Sequence, residues 1–175
     1  MARSSDKPVG GDFFEKISVA GQFAPRDAAD AAVNGEKLPA IRNLEKIYHA
    51  ADALTAKITS VKCLADGECC RFDRVEHRLF VSTLEIALLA SQPAPCKPSP
   101  LRCPYQVESN CTARARRPLG CRMFFCNGSS SLATQRLYER CHLAIRHLHE
   151  RCGLMYNYRE LTDWLVELDQ SVGHY

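Results

Sequence analysis

Cysteine is the residue type whose number and spacing could do chemistry in this 175-residue chain. Eight of its ten cysteines lie between positions 63 and 126. Four fall within 24 residues, among Pro, Gly and Arg residues and without the period of a helix or a strand: Cys103, Cys111, Cys121 and Cys126. Such a segment cannot bury enough apolar surface to order itself, so another bond must hold it. Thiolate-to-metal bonds can do this, and the spacing predicts a metal centre.

A second group of cysteines precedes this segment and is predicted to complete the same site. It consists of Cys63 and the adjacent pair Cys69-Cys70. Neighbouring side chains of an extended chain point to opposite sides, so this pair can bind one ion only if the backbone turns sharply. The predicted ligands are Cys63, Cys69, Cys70, Cys103, Cys111, Cys121 and Cys126. A zinc site or a four-iron cluster takes four thiolates, so seven thiols are nearly enough for two such sites. They could equally form one site with spare thiols, or one bridged site with several metal ions.

The remaining cysteines are predicted to have other surroundings. Cys96 lies among four prolines and is either a further ligand or an exposed thiol. Cys141 and Cys152 share a helical face with leucines, and buried cysteine behaves as a small hydrophobe. They are therefore predicted to belong to the core.

The overall composition favours a cytoplasmic protein with reduced thiols. The first residues are polar and form no signal peptide, and no run reaches the roughly 20 apolar residues of a membrane span. Clustered cysteines in a reducing compartment are ligands more often than disulfides, although a disulfide-stabilised interaction protein is an alternative. No membrane partner is expected, and a protein partner is left open.

Four arginines lie among the cysteines: Arg114, Arg116, Arg117 and Arg122. Guanidinium groups near thiolates stabilise their negative charge and lower their pKa values. The same groups could hold an anionic substrate or cofactor, and Arg117 and Arg122 are the predicted cofactor-binding residues. The few nearby aromatic residues disfavour nucleic acid as a partner, whereas the net charge of +3 says little about it, since a four-thiolate zinc site would bring the chain close to neutrality.

The central part of the chain resembles a known family. The residues that carry the resemblance are Glu68-Cys69-Cys70, Val81 to Ile86, Cys103-Pro104-Tyr105, Cys111, and Arg117-Pro118-x-x-Cys121-Arg122-x-Phe124-x-Cys126. Over about residues 63–126 they are similar to the YkgJ-type cysteine-cluster family of zinc- or iron-chelating proteins. The resemblance implies that the seven cysteines hold a metal, with iron as an iron–sulfur cluster slightly favoured over zinc.

The resemblance also implies a second function and shows one departure. Some relatives are lysine N-methylases that act on flagellin, so an iron-dependent protein-modifying enzyme is an alternative. The sequence has neither a glycine-rich S-adenosylmethionine loop after a strand nor a CxxxCxxC radical motif. Asp66 stands where the family often has a cysteine. A carboxylate is a suitable ligand for a zinc or iron ion but a poor substitute for a thiolate in an iron–sulfur cluster, so Asp66 slightly disfavours a four-iron cluster.

Helices are predicted on both sides of the cysteine-rich centre. Apolar residues at three- and four-residue steps predict a helix from about Pro39 to Ile58. Ser82 to Glu85 fits a capping box after a short strand at Phe80-Val81. A long helix is predicted to end near Cys152, with Gly153 closing it and with His142 and His149 solvated. Residues 157–160 are predicted to cap a last helix.

These elements predict a mainly α fold in which helices wrap around an irregular cysteine-rich metal-binding centre. Residues 1–35 are predicted to be a partly ordered N-terminal extension. Residues 36–175 are predicted to be a single cysteine-cluster domain, with the metal-binding core at 63–126.

Overall fold

A computed structural model describes residues 39–58, 67–74, 78–123 and 131–172. This part of the chain is mostly helical, as predicted. Its helices are α1 Pro39–Ile58, α2 Thr83–Ala90, α3 Leu119–Met123, α4 Leu132–Arg151 and α5 Leu161–Val172. Its strands are β1 Phe80–Ser82, β2 Gln106–Val107, β3 Asn110–Cys111 and β4 Tyr158–Glu160. The predicted N-terminal extension, Cys63, Asp66 and Cys126 lie outside the described residues.

Helices α1 and α4 form the centre of the first hydrophobic cluster. Leu44 and Ala51 of α1 are fully buried, as is Cys141 of α4, and residues of α2 and α3 join the same cluster. The prediction that Cys141 is a core residue is confirmed, and Cys152 packs against the cluster partly buried. No helix in the described ranges is long and apolar enough to cross a membrane.

The ends of α4 follow from local sequence. Ser131 caps its first turn by accepting the Thr134 backbone N–H at 3.2 Å. At the other end the Gly153 N–H donates to the Glu150 carbonyl at 3.2 Å, and the Leu154 N–H donates to the His149 carbonyl at 2.9 Å. These two bonds make a Schellman motif, for which Gly153 adopts a φ of 61°. The predicted closure of the helix at Gly153 is confirmed.

The prediction that residues 157–160 cap the last helix is wrong for Tyr158 and Arg159, whereas Glu160 directly precedes that helix. These residues form β4, which pairs antiparallel with β1 so that Phe80 faces Glu160 and Ser82 faces Tyr158. Helix α5 begins only at Leu161, whose N–H donates to the Leu79 carbonyl at 2.8 Å. The pairing satisfies backbone groups of two segments far apart in the chain, which local sequence does not show.

The prediction that His149 is solvated is also wrong. Its side chain is fully buried, and Nε2 accepts the Leu84 backbone N–H at 3.2 Å. Nδ1 therefore carries the proton and donates to the Ile145 carbonyl at 2.9 Å. The first turn of α2 docks on this face of α4, and a helical period alone cannot reveal that contact. His142 is half-buried, with Nε2 at 2.5 Å from the Tyr156 hydroxyl, and burial lowers its pKa.

The carboxylate of Glu85 joins three helices inside the protein. Glu85 is 2% exposed, and its Oε2 accepts the Ser82 N–H at 2.8 Å in the capping box at the start of α2. Its Oε1 accepts the Leu119 N–H of α3 at 2.9 Å and the Tyr48 hydroxyl of α1 at 3.3 Å. The predicted capping box is thus present, and it also fixes the position of α3.

Replacing Glu85 is expected to destabilise the protein strongly. Glu85→Ala leaves buried donors of Ser82, Leu119 and Tyr48 without an acceptor, so the free energy of unfolding should fall by about 3 kcal/mol or more. Urea unfolding followed by circular dichroism measures the change. The matched control is Glu139→Ala, since Glu139 is exposed and accepts from the side chain of Gln135 on the helix surface. Equal stability of the two variants would contradict the role given to Glu85.

Candidate metal centre

Five cysteines from separate segments line one cavity of about 40 Å³. They are Cys69, Cys70, Cys103, Cys111 and Cys121. The apolar part of the cavity wall consists of Leu89, Tyr105 and Leu161. Arg114 and Arg117 also line the cavity. A water molecule needs roughly 10–15 Å³, so the cavity has room for one ion or a few waters. Five of the seven predicted ligands are therefore brought together, and the other two lie outside the described residues.

The adjacent pair Cys69-Cys70 reaches the same cavity because the backbone turns there. Gly67 has a φ of 75° and begins a 3₁₀ turn at Glu68–Cys70, in which the Cys70 N–H donates to the Gly67 carbonyl at 3.0 Å. The two sulfur atoms stand 4.0 Å apart. A tetrahedral zinc ion with bonds of about 2.3 Å separates its sulfur ligands by about 3.8 Å, so this spacing suits two ligands of one ion.

Gln106 supports the turn from the opposite segment. Its Nε2 donates to the Gly67 carbonyl at 3.0 Å, and its side chain is buried. A Cβ atom added at Gly67 would lie 2.3 Å from this nitrogen and 3.0 Å from the Ser109 carbonyl oxygen, so an alanine would displace the Gln106 side chain in addition to straining the positive φ. Gly67 could be noticed in the sequence as the turn residue of a loop, whereas nothing in the sequence distinguishes Gln106.

Backbone hydrogen bonds hold the next two cysteines against this turn. The Cys103 N–H donates to the Cys70 carbonyl at 2.9 Å, and the Gln106 N–H donates to the Cys103 carbonyl at 3.1 Å. Strands β2 and β3 then pair Gln106 with Cys111. Cys70, Cys103 and Cys111 therefore share one continuous set of backbone contacts.

The fifth cysteine comes from a different part of the fold. Cys121 lies in α3, which follows Pro118 and is fixed to Glu85 through its first N–H. Of the two predicted cofactor-binding residues, Arg117 lines the cavity and Arg122 does not. The Arg122 guanidinium instead binds Asp52 of α1 at 2.7 Å.

The cavity raises the pKa values of its thiols. A hydrogen bond with Cys103, together with burial, raises the pKa of Cys70 to about 12, although the contact with Cys69 opposes the shift. Burial raises the pKa of Cys121 well above its usual range, and neighbouring thiols add to the effect. Burial also raises the pKa of Cys111, against the effects of its backbone hydrogen bond and Arg117. These thiols therefore carry protons at neutral pH.

The other described cysteines do not belong to this cavity. Cys96 is exposed, and its sulfur lies 3.8 Å from the Gln106 carbonyl oxygen, so of its two predicted roles the exposed thiol fits. All eight cysteines in the described ranges are free thiols. As they stand, no three Cys, His, Asp or Glu side chains among the described residues are arranged to hold a metal ion.

No family model, curated protein or solved structure matches this chain. The resemblance of residues 63–126 to the YkgJ-type family therefore stays a prediction.

The first prediction from this geometry concerns thiol reactivity. In metal-free, reduced protein at pH 7.5, iodoacetamide should modify Cys96 at least about a hundredfold faster than Cys70 or Cys121, because the thiolate is the nucleophile and both cavity thiols are protonated. Peptide mass spectrometry over time gives the rate at each cysteine. When the protein is unfolded in about 6 M guanidinium chloride, the alkylation rates of the cysteines should converge. Similar rates in the folded protein would contradict the burial described here.

A second prediction concerns the glycine at the turn. Gly67→Ala should cost more stability than Gly153→Ala, which is its matched control. Both positions have positive φ, and the strain of an alanine there is about 1–2 kcal/mol, but a Cβ at Gly153 meets no atom within 4 Å. Only Gly67→Ala should also speed the alkylation of Cys69 and Cys70. Equal unfolding free energies and unchanged alkylation would show that the contact with Gln106 is unimportant.

Proposed function

We propose that this protein binds a thiophilic metal, as an iron–sulfur cluster or as zinc, through the cysteine thiolates of its cavity. The observation that carries the proposal is the donor set. Five thiols line the space, while no histidine, aspartate or glutamate does so among the described residues. Sulfur ligands favour zinc, copper(I) and iron–sulfur clusters, whereas magnesium and calcium require oxygen ligands.

In number, four of the five thiols would suffice for either kind of centre, although the cavity as it stands has room for one ion and would have to widen for a cluster. Cys69, Cys70 and Cys103 are neighbours through the backbone and through sulfur contacts, and Cys121 faces them from α3. Zinc and a four-iron cluster each take four thiolates, so Cys111 would be a fifth, bridging or spare thiol. Cys63 and Cys126 remain predicted ligands from the resemblance.

The surrounding side chains suit a negatively charged thiolate centre. Arg117 lines the cavity and lowers the pKa values of Cys111 and Cys121, against the larger effect of burial. The apolar side chains of Leu89 and Leu161 restrict water. A bound zinc would supply folding free energy on the order of 10 kcal/mol, and an iron–sulfur cluster would supply electron transfer. The iron-dependent modifying enzyme implied by the resemblance stays a prediction.

Metal analysis of anaerobically purified protein tests the proposal. Iron with acid-labile sulfide and visible absorption would identify a cluster, and colourless protein with zinc would identify a zinc site. Cys70→Ser and Cys121→Ser should lose most of the metal, whereas Cys96→Ser, the matched exposed control, should retain it. Wild-type protein without stoichiometric metal, or cavity variants that keep it, would refute the proposal.

Metal affinity is expected to fall as the pH is lowered. Because their pKa values are raised, Cys70 and Cys121 are protonated in the metal-free protein between about pH 6 and pH 8. Each must release its proton on binding, so these two thiols alone should weaken zinc binding about a hundredfold for each pH unit lowered, and any further protonated ligand adds to the slope. Competition with a chromophoric chelator of known proton affinity measures this slope. A slope near zero would show that the thiols are not the ligands.

A further inference from the structure

Arg122 is buried beside the cavity without lining it. Its side chain is 7% exposed, and its guanidinium has acceptors on three sides. Nη1 donates to Asp52 Oδ2 at 2.7 Å, Nε to the Arg117 carbonyl at 2.8 Å and Nη2 to the Ala115 carbonyl at 2.5 Å. The Cζ atom also lies 4.3 Å from the centre of the Tyr48 ring. These contacts occupy all three nitrogen atoms, so this group is directed away from any ligand in the cavity.

The partners of Arg122 belong to two parts of the fold. Asp52 and Tyr48 lie on α1, and Tyr48 belongs to the first hydrophobic cluster. The carbonyls of Ala115 and Arg117 lie in the segment that runs along the cavity wall into α3. The guanidinium therefore ties the wall of the cavity to the helical core.

We infer that Arg122 is a positioning residue for the thiol cavity: it holds segment 115–122 against α1 and so sets the positions of Cys121 and Arg117. This positioning role rests on the proposed function only for the purpose of the cavity, which is to bind a metal. Glu85 acts on the same segment from the other side, since its carboxylate accepts the first N–H of α3 and the hydroxyl of Tyr48. Tyr48 thus contacts both the guanidinium and the carboxylate.

Two other cysteine segments of the cavity, the Cys69-Cys70 turn and the loop with Cys103, do not depend on this tie. Cys69, Cys70 and Cys103 are held by Gly67, Gln106 and the bond between Cys103 and Cys70. Loss of Arg122 should therefore displace Cys121 selectively. General destabilisation would instead expose all the cavity thiols together, and this difference makes the inference testable.

The experiment compares Arg122→Lys with Arg159→Lys as its matched control. Arg159 has the same kinds of contact, an ion pair with Glu167 at 2.7 Å and a position 4.7 Å over the Trp164 ring, but it does not line or tie the cavity. Lysine keeps the charge and loses the planar fork that reaches three acceptors. Asp52→Asn, at a half-exposed position, weakens the same tie with less risk to folding.

In metal-free protein, Arg122→Lys should raise the alkylation rate of Cys121 about tenfold or more, with little change at Cys70 and Cys103. Asp52→Asn should change it in the same direction by less, and Arg159→Lys should leave it at the wild-type value. Zinc affinity by chelator competition should weaken about 10- to 100-fold in Arg122→Lys only, as is typical when a residue that orients metal ligands is replaced.

The outcomes separate this inference from the proposed function. An unchanged Cys121 rate in both Arg122→Lys and Asp52→Asn, or equal rises at all cavity cysteines, would overturn the positioning role whether or not metal binds. A selective rise at Cys121 in a protein that binds no metal would support the positioning role and refute the proposed function.

Discussion

The hydrogen bond from the Cys103 N–H to the Cys70 carbonyl is the contact on which the cavity most depends. It joins two loops that have no long helix or strand of their own. Around it, Gly67 supplies the turn and Gln106 fixes that turn from the facing loop. Backbone groups thus order a stretch whose composition offers little apolar surface, and they bring three sulfur atoms to one place.

The cavity is lined by residues of the second of two hydrophobic clusters and, through Cys121, meets α3, whose buried residues belong to the first. The first cluster contains α1, α4 and the buried residues of α3, and the second contains Cys70, Cys103 and the apolar residues around them. Cys121 is carried by α3, so an ion shared by Cys121 and Cys70 would connect the two clusters. Arg122 and Glu85 already connect α3 to the helices, through contacts between protein groups alone.

Parts of this arrangement could be predicted from the sequence, because they depend on local rules. The apolar period gave helix Pro39–Ile58, and Gly153 marked the end of α4. The grouping of Cys69 and Cys70 with Cys103, Cys111 and Cys121 followed from cysteine spacing in a segment with no other means of ordering itself. The condition attached to Cys69 and Cys70, a sharp backbone turn, is met at Glu68–Cys70.

Other parts depend on contacts between distant residues. The pairing of β1 with β4 and the burial of His149 under α2 needed the tertiary structure. The role of Arg122 was missed for the same reason. An arginine next to a cysteine suggests a group that faces the ligand, whereas its neighbours in space, Asp52 and Tyr48, lie about 70 positions earlier in the chain.

Charge gives the two cavity arginines a different role from Arg122. Four thiolates around a zinc dication carry a net charge of about −2, which is costly in a site walled by Leu89 and Leu161. Arg114 and Arg117 line that site, so two positive charges stand where the excess negative charge would arise. Arg122 cannot serve in this way because its charge is already paired with Asp52. In the proposed centre Arg114 and Arg117 would therefore balance charge at the thiols, whereas Arg122 binds α1 and the segment that leads into α3.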